Sequence, residues 1–172
     1  MLISGEYIDV HPPDLADTLQ ISGIADMTKT EIVVNKRLND NNDPSWLEGT
    51  GSMEGIDLNG NQFLMDFIIN LSHNAWIDAQ NNIHIGKGKF GISGNNGDDY
   101  LQGEYTGGGR DEGPETKISL NLLITGGAGK FQLAKGALSA VLTSQYENKD
   151  GIRINYRGMV LVPENEPYDN NE

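Results

Sequence analysis

Apolar and polar residues alternate along most of this chain, which is the pattern of β-strands that bury one face. The alternation is clearest where the apolar residues of one parity are Ile118, Leu120, Leu122 and Ile124. The pattern predicts eight or nine strands, at residues 18–34 (one bent strand or two), 47–57, 62–71, 75–80, 83–92, 100–106, 117–124, 136–146 and 152–162.

Short turn sequences separate most of these segments. Asn59-Gly60 predicts a type I′ hairpin turn, and residues 148–151 predict the last hairpin. A longer, glycine-rich stretch at residues 106–115 predicts a mobile loop. With 22 glycines, the composition favours an all-β protein. Eight or nine sequential strands joined by short turns predict an antiparallel β-barrel. A closed barrel of eight strands is wide enough to be filled by side chains or to hold one small ligand.

Length and charge set limits on organisation and partners. The 172 residues fit a single barrel domain at residues 1–163, followed by an acidic, disordered tail at 164–172. The net charge of −13 should repel phosphate backbones and anionic membranes, so no nucleic acid and no membrane is expected as a partner. The chain has no cysteine, which excludes disulfides and thiolate chemistry. We expect a cytoplasmic location, because no signal peptide or long apolar run is present.

The glycine-rich segment Ile124–Gly136 joins two predicted strands, and we expect it to form a tight reversal. Its apolar residues should pack under the sheet: Phe131, Leu133 and Ala134. A phosphate loop is excluded, since that motif needs a glycine at the position of Ile124 and a hydroxyl residue at Phe131. A second run, Gly86–Phe90, has a similar sequence to Gly127–Phe131 and predicts an equivalent corner of the sheet. It also opens a dinucleotide-type glycine motif, but no helix follows, so no cofactor is expected. The acidic loop at residues 39–44 lacks the residue spacing of a calcium-binding loop, so no metal is expected.

One stretch resembles a known family. Ile124-Thr125-Gly126-Gly127-Ala128-Gly129, followed by Phe131, Ala134 and Gly136, resembles the signature of plant allene oxide cyclases and the related dirigent proteins. Tyr100–Tyr105 is similar to the strand that precedes that signature, and the likeness covers residues 94–140. It implies an eight-stranded barrel of that family, with a calycin-like barrel as the second choice. It also implies a homo-oligomer, a trimer by resemblance or else a dimer.

The resemblance and the barrel together predict that an apolar small molecule binds in the barrel interior. Both families hold an apolar substrate there, so a cofactor-free cyclase or isomerase of a biosynthetic intermediate is the leading hypothesis. The alternative is a non-enzymatic binding or scaffold module, either lipocalin- or avidin-like or with a plugged barrel. The volume and lining of the interior separate these two hypotheses.

Such chemistry needs an acid or base on a strand. Asp66 is the first catalytic candidate because it interrupts the most apolar strand, although it fits a solvent-facing position as well. Glu104 is a second candidate, and Tyr100 shares its strand face. The sequence does not decide whether Glu104 or its neighbour Tyr105 points inward.

Three further residues are candidates for ligand binding. Tyr156 lies on the apolar face of the last strand, where core packing is the other interpretation, and Phe67 lies in the most apolar strand. Arg153 could hold an anionic head group, or it could face solvent or a neighbouring subunit.

Overall fold

The structure is a computed structural model that describes residues 18–30, 43–95, 97–110, 115–145 and 151–163. Within these ranges the chain forms eight strands and one short 3-10 helix at Gly129–Phe131. The strands are β1 (Thr18–Thr30), β2 (Asp43–Asp57), β3 (Gln62–Ile77), β4 (Asn82–Gly94), β5 (Tyr100–Arg110), β6 (Glu115–Ala128), β7 (Lys135–Gln145) and β8 (Ile152–Leu161).

The eight strands form one closed sheet. Every strand pairs antiparallel with the next one in the chain, and β8 pairs with β1. The closing pairs include Gly23 with Tyr156 and Ala25 with Ile154. The predicted all-β, eight-stranded antiparallel barrel is therefore confirmed.

Several strands extend beyond their predicted ends. β3 continues to Ile77 and includes the first half of the strand predicted separately at 75–80. β5 continues to Arg110 and β6 begins at Glu115, so the loop predicted at 106–115 is wrong for both of its flanks. The middle of that loop, the turn residues 148–150 and the tail at 164–172 lie outside the described residues.

The inner face of the barrel is apolar, as the alternation predicts. Along β6, buried and exposed residues alternate from Glu115 to Thr125. The largest fully buried side chains form one core: Phe67, Phe131, Ile21, Met27, Met53, Ile69, Leu71, Ile92, Leu101, Leu120, Leu122 and Ile124. Burying a side chain of this size contributes about 1.5–3 kcal/mol. The middle of the barrel is filled with side chains.

Inner glycines make room for aromatic rings of neighbouring strands. A Cβ atom on Gly23 of β1 would overlap the ring of Tyr156, and one on Gly88 of β4 would lie 2.5 Å from Cδ2 of Tyr105. Each tyrosine therefore lies across the glycine of the strand beside it, an arrangement also used to stabilise glycine in sheets. Two other pairs repeat this contact: Gly55 with Phe63, and Gly103 with Phe90.

The connection between β6 and β7 closes one end of the barrel. Phe131 and Ala134 are buried, as predicted, but Leu133 is 59% exposed. The expectation for Leu133 is wrong because its φ of 60° turns the side chain outward. The amide of Lys130 donates a 2.8 Å hydrogen bond to Asp99, which fixes this connection to the β4–β5 turn. We call this end, where β1 begins and β8 ends, the capped end; the opposite end is the distal end.

Two glycine motifs differ from their predictions. Gly60 has a φ of 84°, whereas Asn59 does not have a positive φ, so the β2–β3 turn is not type I′. It is a three-residue loop in which the amide of Asp57 bonds the carbonyl of Asn61. The Gly86–Gly88 run lies within β4 at a register shift, with Lys87 at a φ of 54°, and is therefore a bulge rather than a corner like Gly127–Phe131.

Candidate functional site

Two buried polar side chains meet inside the barrel, towards the distal end. His73 of β3 is 7% exposed and Tyr105 of β5 is 3% exposed. The Nδ1 atom of His73 and the hydroxyl of Tyr105 share a hydrogen bond of 2.7 Å. Their rings meet edge to face with centres 5.8 Å apart. Inner residues next to the pair along the strands and across to β6, such as Leu71 and Leu122, are buried and apolar.

Strand parity and a bulge in β4 place this pair. His73 continues the inward series along β3: Phe67, Ile69 and Leu71. The register between β3 and β4 shifts between Ser72 and Asn74, because two residues of β4, Lys87 and Gly88, lie opposite His73 and form a bulge in β4. Bulges redirect side chains and are frequent next to binding sites. On β4, Gly88 lacks a side chain, which lets the ring of Tyr105 cross that strand and reach β3.

The environment of the pair determines its protonation chemistry. Burial raises the pKa of the Tyr105 hydroxyl above its ordinary value. Tyr105 therefore keeps its proton near neutral pH and can donate a hydrogen bond. His73 donates or accepts at Nδ1 according to its tautomer. Together they form a hydrogen-bond donor, the tyrosine hydroxyl, that is held in place by an imidazole nitrogen.

Two other buried hydroxyls have no hydrogen-bond partner among the described residues. One is Thr116 Oγ1, at the start of β6 near the distal end, and the other is the hydroxyl of Tyr156. Burial also raises the pKa of Tyr156. An unpartnered buried hydroxyl costs about 1–3 kcal/mol.

The structure brings together two of the predicted ligand-binding residues. Tyr156 and Phe67 are both buried, and their rings meet edge to face with centres 5.6 Å apart. Both belong to the filled middle of the barrel. Arg153 is separate from them: it lies on the outer wall and donates a 2.9 Å hydrogen bond to Asp26 of β1.

The three predicted catalytic residues lie on the outer face. Asp66 is exposed next to the inward Phe67, and Glu104 is exposed next to the inward Tyr105. Tyr100 is half-buried and lines a groove of about 390 Å³ on the outer wall. The alternation of the strands points all three side chains away from the barrel interior. None of them can therefore touch a ligand held inside, contrary to the catalytic role considered for them.

Sequence reasoning missed His73, because the strand that contains it was predicted to end at residue 71. Its parity with Phe67, Ile69 and Leu71 is the signal that extends the inner face to it. Tyr105 was weighed against Glu104 without a decision. Tyr105 points inward, and its ring fits because Gly88 of the paired strand β4 has no side chain. The sequence does not show which residue of β4 lies opposite Tyr105.

A second polar cluster lies on the surface at the distal end. Trp76 stacks on His84 with ring centres 5.3 Å apart and an interplanar angle of 14°. His84 Nε2 lies 2.9 Å from Asp78 Oδ2. The hydrogen bond from His84 is the main cause that lowers the pKa of Asp78, and the backbone amide of Asn82 adds to it.

The larger described grooves lie on the outer wall. One of about 710 Å³ crosses β1, β2, β6, β7 and β8, and one of about 570 Å³ crosses β1, β2, β3 and β8. Neither groove includes His73 or Tyr105. The buried polar pair and the outer grooves are therefore separate features.

Comparisons with known proteins add no further constraint. No protein-family model, curated protein or solved structure matches this chain. In the described ranges, no group of three or more His, Asp or Glu side chains is placed to hold a metal ion. The same ranges contain no helix that is long and apolar enough to cross a membrane.

Proposed function

We propose that the barrel binds an apolar small molecule at its distal end, with the His73–Tyr105 pair as the polar contact. The observation that carries this proposal is the 2.7 Å hydrogen bond between two buried polar side chains in a largely apolar barrel. Pockets for small molecules are typically apolar with a few convergent polar groups.

The inner wall between this pair and the distal rim suits an apolar ligand. Apart from Thr116, whose hydroxyl has no partner among the described residues, it consists of small or aliphatic residues, some of them half-buried: Ala75, Ile83, Gly107, Gly109, Ile118 and Ile152. The filled middle of the barrel limits how deeply a ligand can enter. The ligand therefore lies over Tyr105 and does not reach Tyr156.

The pair suits ring closure or isomerisation without a cofactor. Tyr105 can donate a hydrogen bond to a carbonyl or epoxide oxygen while its own oxygen accepts one from Nδ1–H of His73. Most of the rate gain would come from positioning in a dry site. The likeness of residues 94–140 to allene oxide cyclases and dirigent proteins supports this class of reaction, because those proteins hold apolar substrates in their barrels.

Binding of Prodan, a fluorescent naphthyl ketone, tests the proposal. We expect its emission to shift to the blue on binding, and Tyr105→Phe to weaken binding about 3- to 10-fold through the lost hydrogen bond. The analogue dimethylaminonaphthalene lacks the ketone, so its affinity should be the same for both proteins. Tyr100→Phe is the matched control, since Tyr100 lies on the same strand but on the outer wall.

A second candidate function is favoured by the packed middle of the barrel. There, Phe67, Phe131 and Met53 are fully buried, which suits a plugged barrel that acts as a rigid, non-enzymatic scaffold. Under that hypothesis Prodan does not bind, or binds equally to wild type and Tyr105→Phe. Either result would overturn the proposal of a ligand over Tyr105.

A further inference from the structure

The outer wall of β2, β1 and β8 carries three rows of outward side chains in register. From the capped end, the rows are Ile56–Gln20–Met159, Glu54–Ser22–Arg157 and Ser52–Ile24–Asn155. In each row the middle residue belongs to β1, and the outer two lie at equal distances on either side. The rows hold one acid and one arginine, whereas the whole chain carries a net charge of −13.

The two charges in the middle row have no partner among the residues that the structure describes. Neighbouring strands are about 4.8 Å apart, so Glu54 and Arg157 are separated by about 10 Å across Ser22. In the described part of the chain, neither side chain forms a hydrogen bond or ion pair. The nearby Arg153 differs, because Asp26 already accepts its hydrogen bond.

The same wall exposes apolar side chains around a depression. Ile24 is 53% exposed and Met159 is 50% exposed. The two outer grooves both include Ser22, Glu54 and Arg157, so the middle row runs between them. Exposed apolar side chains beside a groove are typical of interaction surfaces.

We propose that this wall binds the same wall of a second copy of the chain, with a twofold axis that runs parallel to β1 above Ser22. This axis exchanges the two sides of each row. Glu54 of each copy then faces Arg157 of the other, which forms two identical ion pairs across the interface. In a twofold interface the same patch serves both copies, and this patch is complementary to itself.

The same axis also places each of the other two rows opposite the same row of the second copy. Met159 of each copy faces Ile56 of the other, and the Ile24 side chains of the two copies meet at the axis. The axis also brings Asp26 of one copy close to Asp26 of the other. Each of these carboxylates is already paired with Arg153 of its own chain at 2.9 Å. The interface therefore combines apolar contacts near the axis with charge pairs beside it, as in many dimers.

Charge reversal of the full chain tests the proposal by sedimentation velocity. Wild type should sediment at twice the 18.7 kDa mass of the chain. Glu54→Arg places arginines opposite each other, and Arg157→Glu places glutamates opposite each other, so each variant should weaken the dimer by about 10-fold or more. An equimolar mixture of the two variants should form heterodimers, because each reversed charge then faces an opposite one. The double variant should dimerise like wild type.

The matched control is a charged pair on the opposite side of the barrel. Lys89 and Glu104 are cross-strand partners on β4 and β5, and both are exposed. Lys89→Glu and Glu104→Arg should leave the dimer unchanged, and circular dichroism should show that every variant is folded. A monomer or a trimer for wild type, or single variants that do not recover dimerisation when mixed, would overturn the proposal.

Discussion

At the scale of single residues, the two buried tyrosines differ in their hydrogen bonding. Tyr105 bonds His73, whereas the hydroxyl of Tyr156 has no partner among the described residues. Replacing each by phenylalanine keeps the ring and removes only the oxygen. We expect Tyr105→Phe to lower the free energy of unfolding by about 1 kcal/mol, and Tyr156→Phe to raise it by about 1 kcal/mol. Urea unfolding of both variants measures this difference in sign.

Tyr100→Phe provides the reference for this pair. Its ring is half-buried on the outer wall, so the free energy of unfolding should stay within about 0.5 kcal/mol of wild type. If Tyr156→Phe destabilises the protein as much as Tyr105→Phe does, the Tyr156 hydroxyl has a partner in solution. A ligand oxygen or an enclosed water would then be the next candidate for that partner.

At the scale of elements, the hairpins β2–β3 and β3–β4 are built alike. In the first, Asp57 accepts hydrogen bonds from the amides of Asn59 and Asn61. In the second, Asp78 accepts them from the amides of Gln80 and Asn82. Each aspartate also bonds the side-chain amide of the asparagine four residues later. The spacing Asp-x-x-x-Asn is thus a hairpin signal that recurs within this chain.

The two hairpins predict a pH dependence. Hydrogen bonds, chiefly from His84 in one hairpin and Asn61 in the other, lower the pKa of Asp78 and Asp57 below the ordinary value of 3.8. A carboxyl group whose pKa is lowered by folding stabilises the fold at pH values above its ordinary pKa of 3.8. This contribution is lost as the pH falls from 3.8 through the lowered pKa of the folded state. Asp78→Asn should therefore lower the urea midpoint at pH 7, with a gap to wild type that closes in acid.

The Asp57→Asn variant is the control for the role of histidine in this pH dependence. Its difference from wild type should also close below pH 3.8, because the wild-type Asp57 carboxylate accepts similar hydrogen bonds but none from an imidazole. Both aspartates lie at the surface, so the effects are small. A gap that persists at the lowest pH would mean that the aspartates act through packing and not through charge.

The sequence predicts a feature well when neighbouring residues in one segment determine it, and poorly when a contact with another strand determines it. Alternation is local, so it predicted the strands, and their short connections predicted an antiparallel barrel. The number of eight strands followed from the resemblance of residues 94–140. The contact between His73 and Tyr105 depends on the bulge in β4 and on Gly88 of that strand, which neither the β3 nor the β5 segment reveals by itself. Asp66 had the same limit, because its apolar neighbours on both faces, such as Leu64 at 71% exposed, hid which face was inner.

At the scale of the whole molecule, closure makes every strand depend on both of its neighbours. β8 pairs with β7 on one side and with β1 on the other, so a break at β7–β8 opens the barrel. The core is likewise one cluster that extends across all strands. We therefore expect the barrel to unfold as one cooperative unit, although the residues at its closing seam are far apart in sequence.

Gly158→Ala on β8 tests this cooperativity. The added Cβ would overlap the carbonyl oxygen of Ala137 and lie 2.8 Å from Cα of Leu138, main-chain atoms of β7 that cannot move without parting the two strands. The free energy of unfolding should fall by about 2–3 kcal/mol. Tryptophan fluorescence reports from Trp46 on β2 and Trp76 on β3, on strands that do not pair with β7 or β8. If closure couples the strands, the urea midpoints from fluorescence and from far-ultraviolet circular dichroism fall together; a fluorescence midpoint that stays at the wild-type value would show that β2 and β3 unfold independently of the seam.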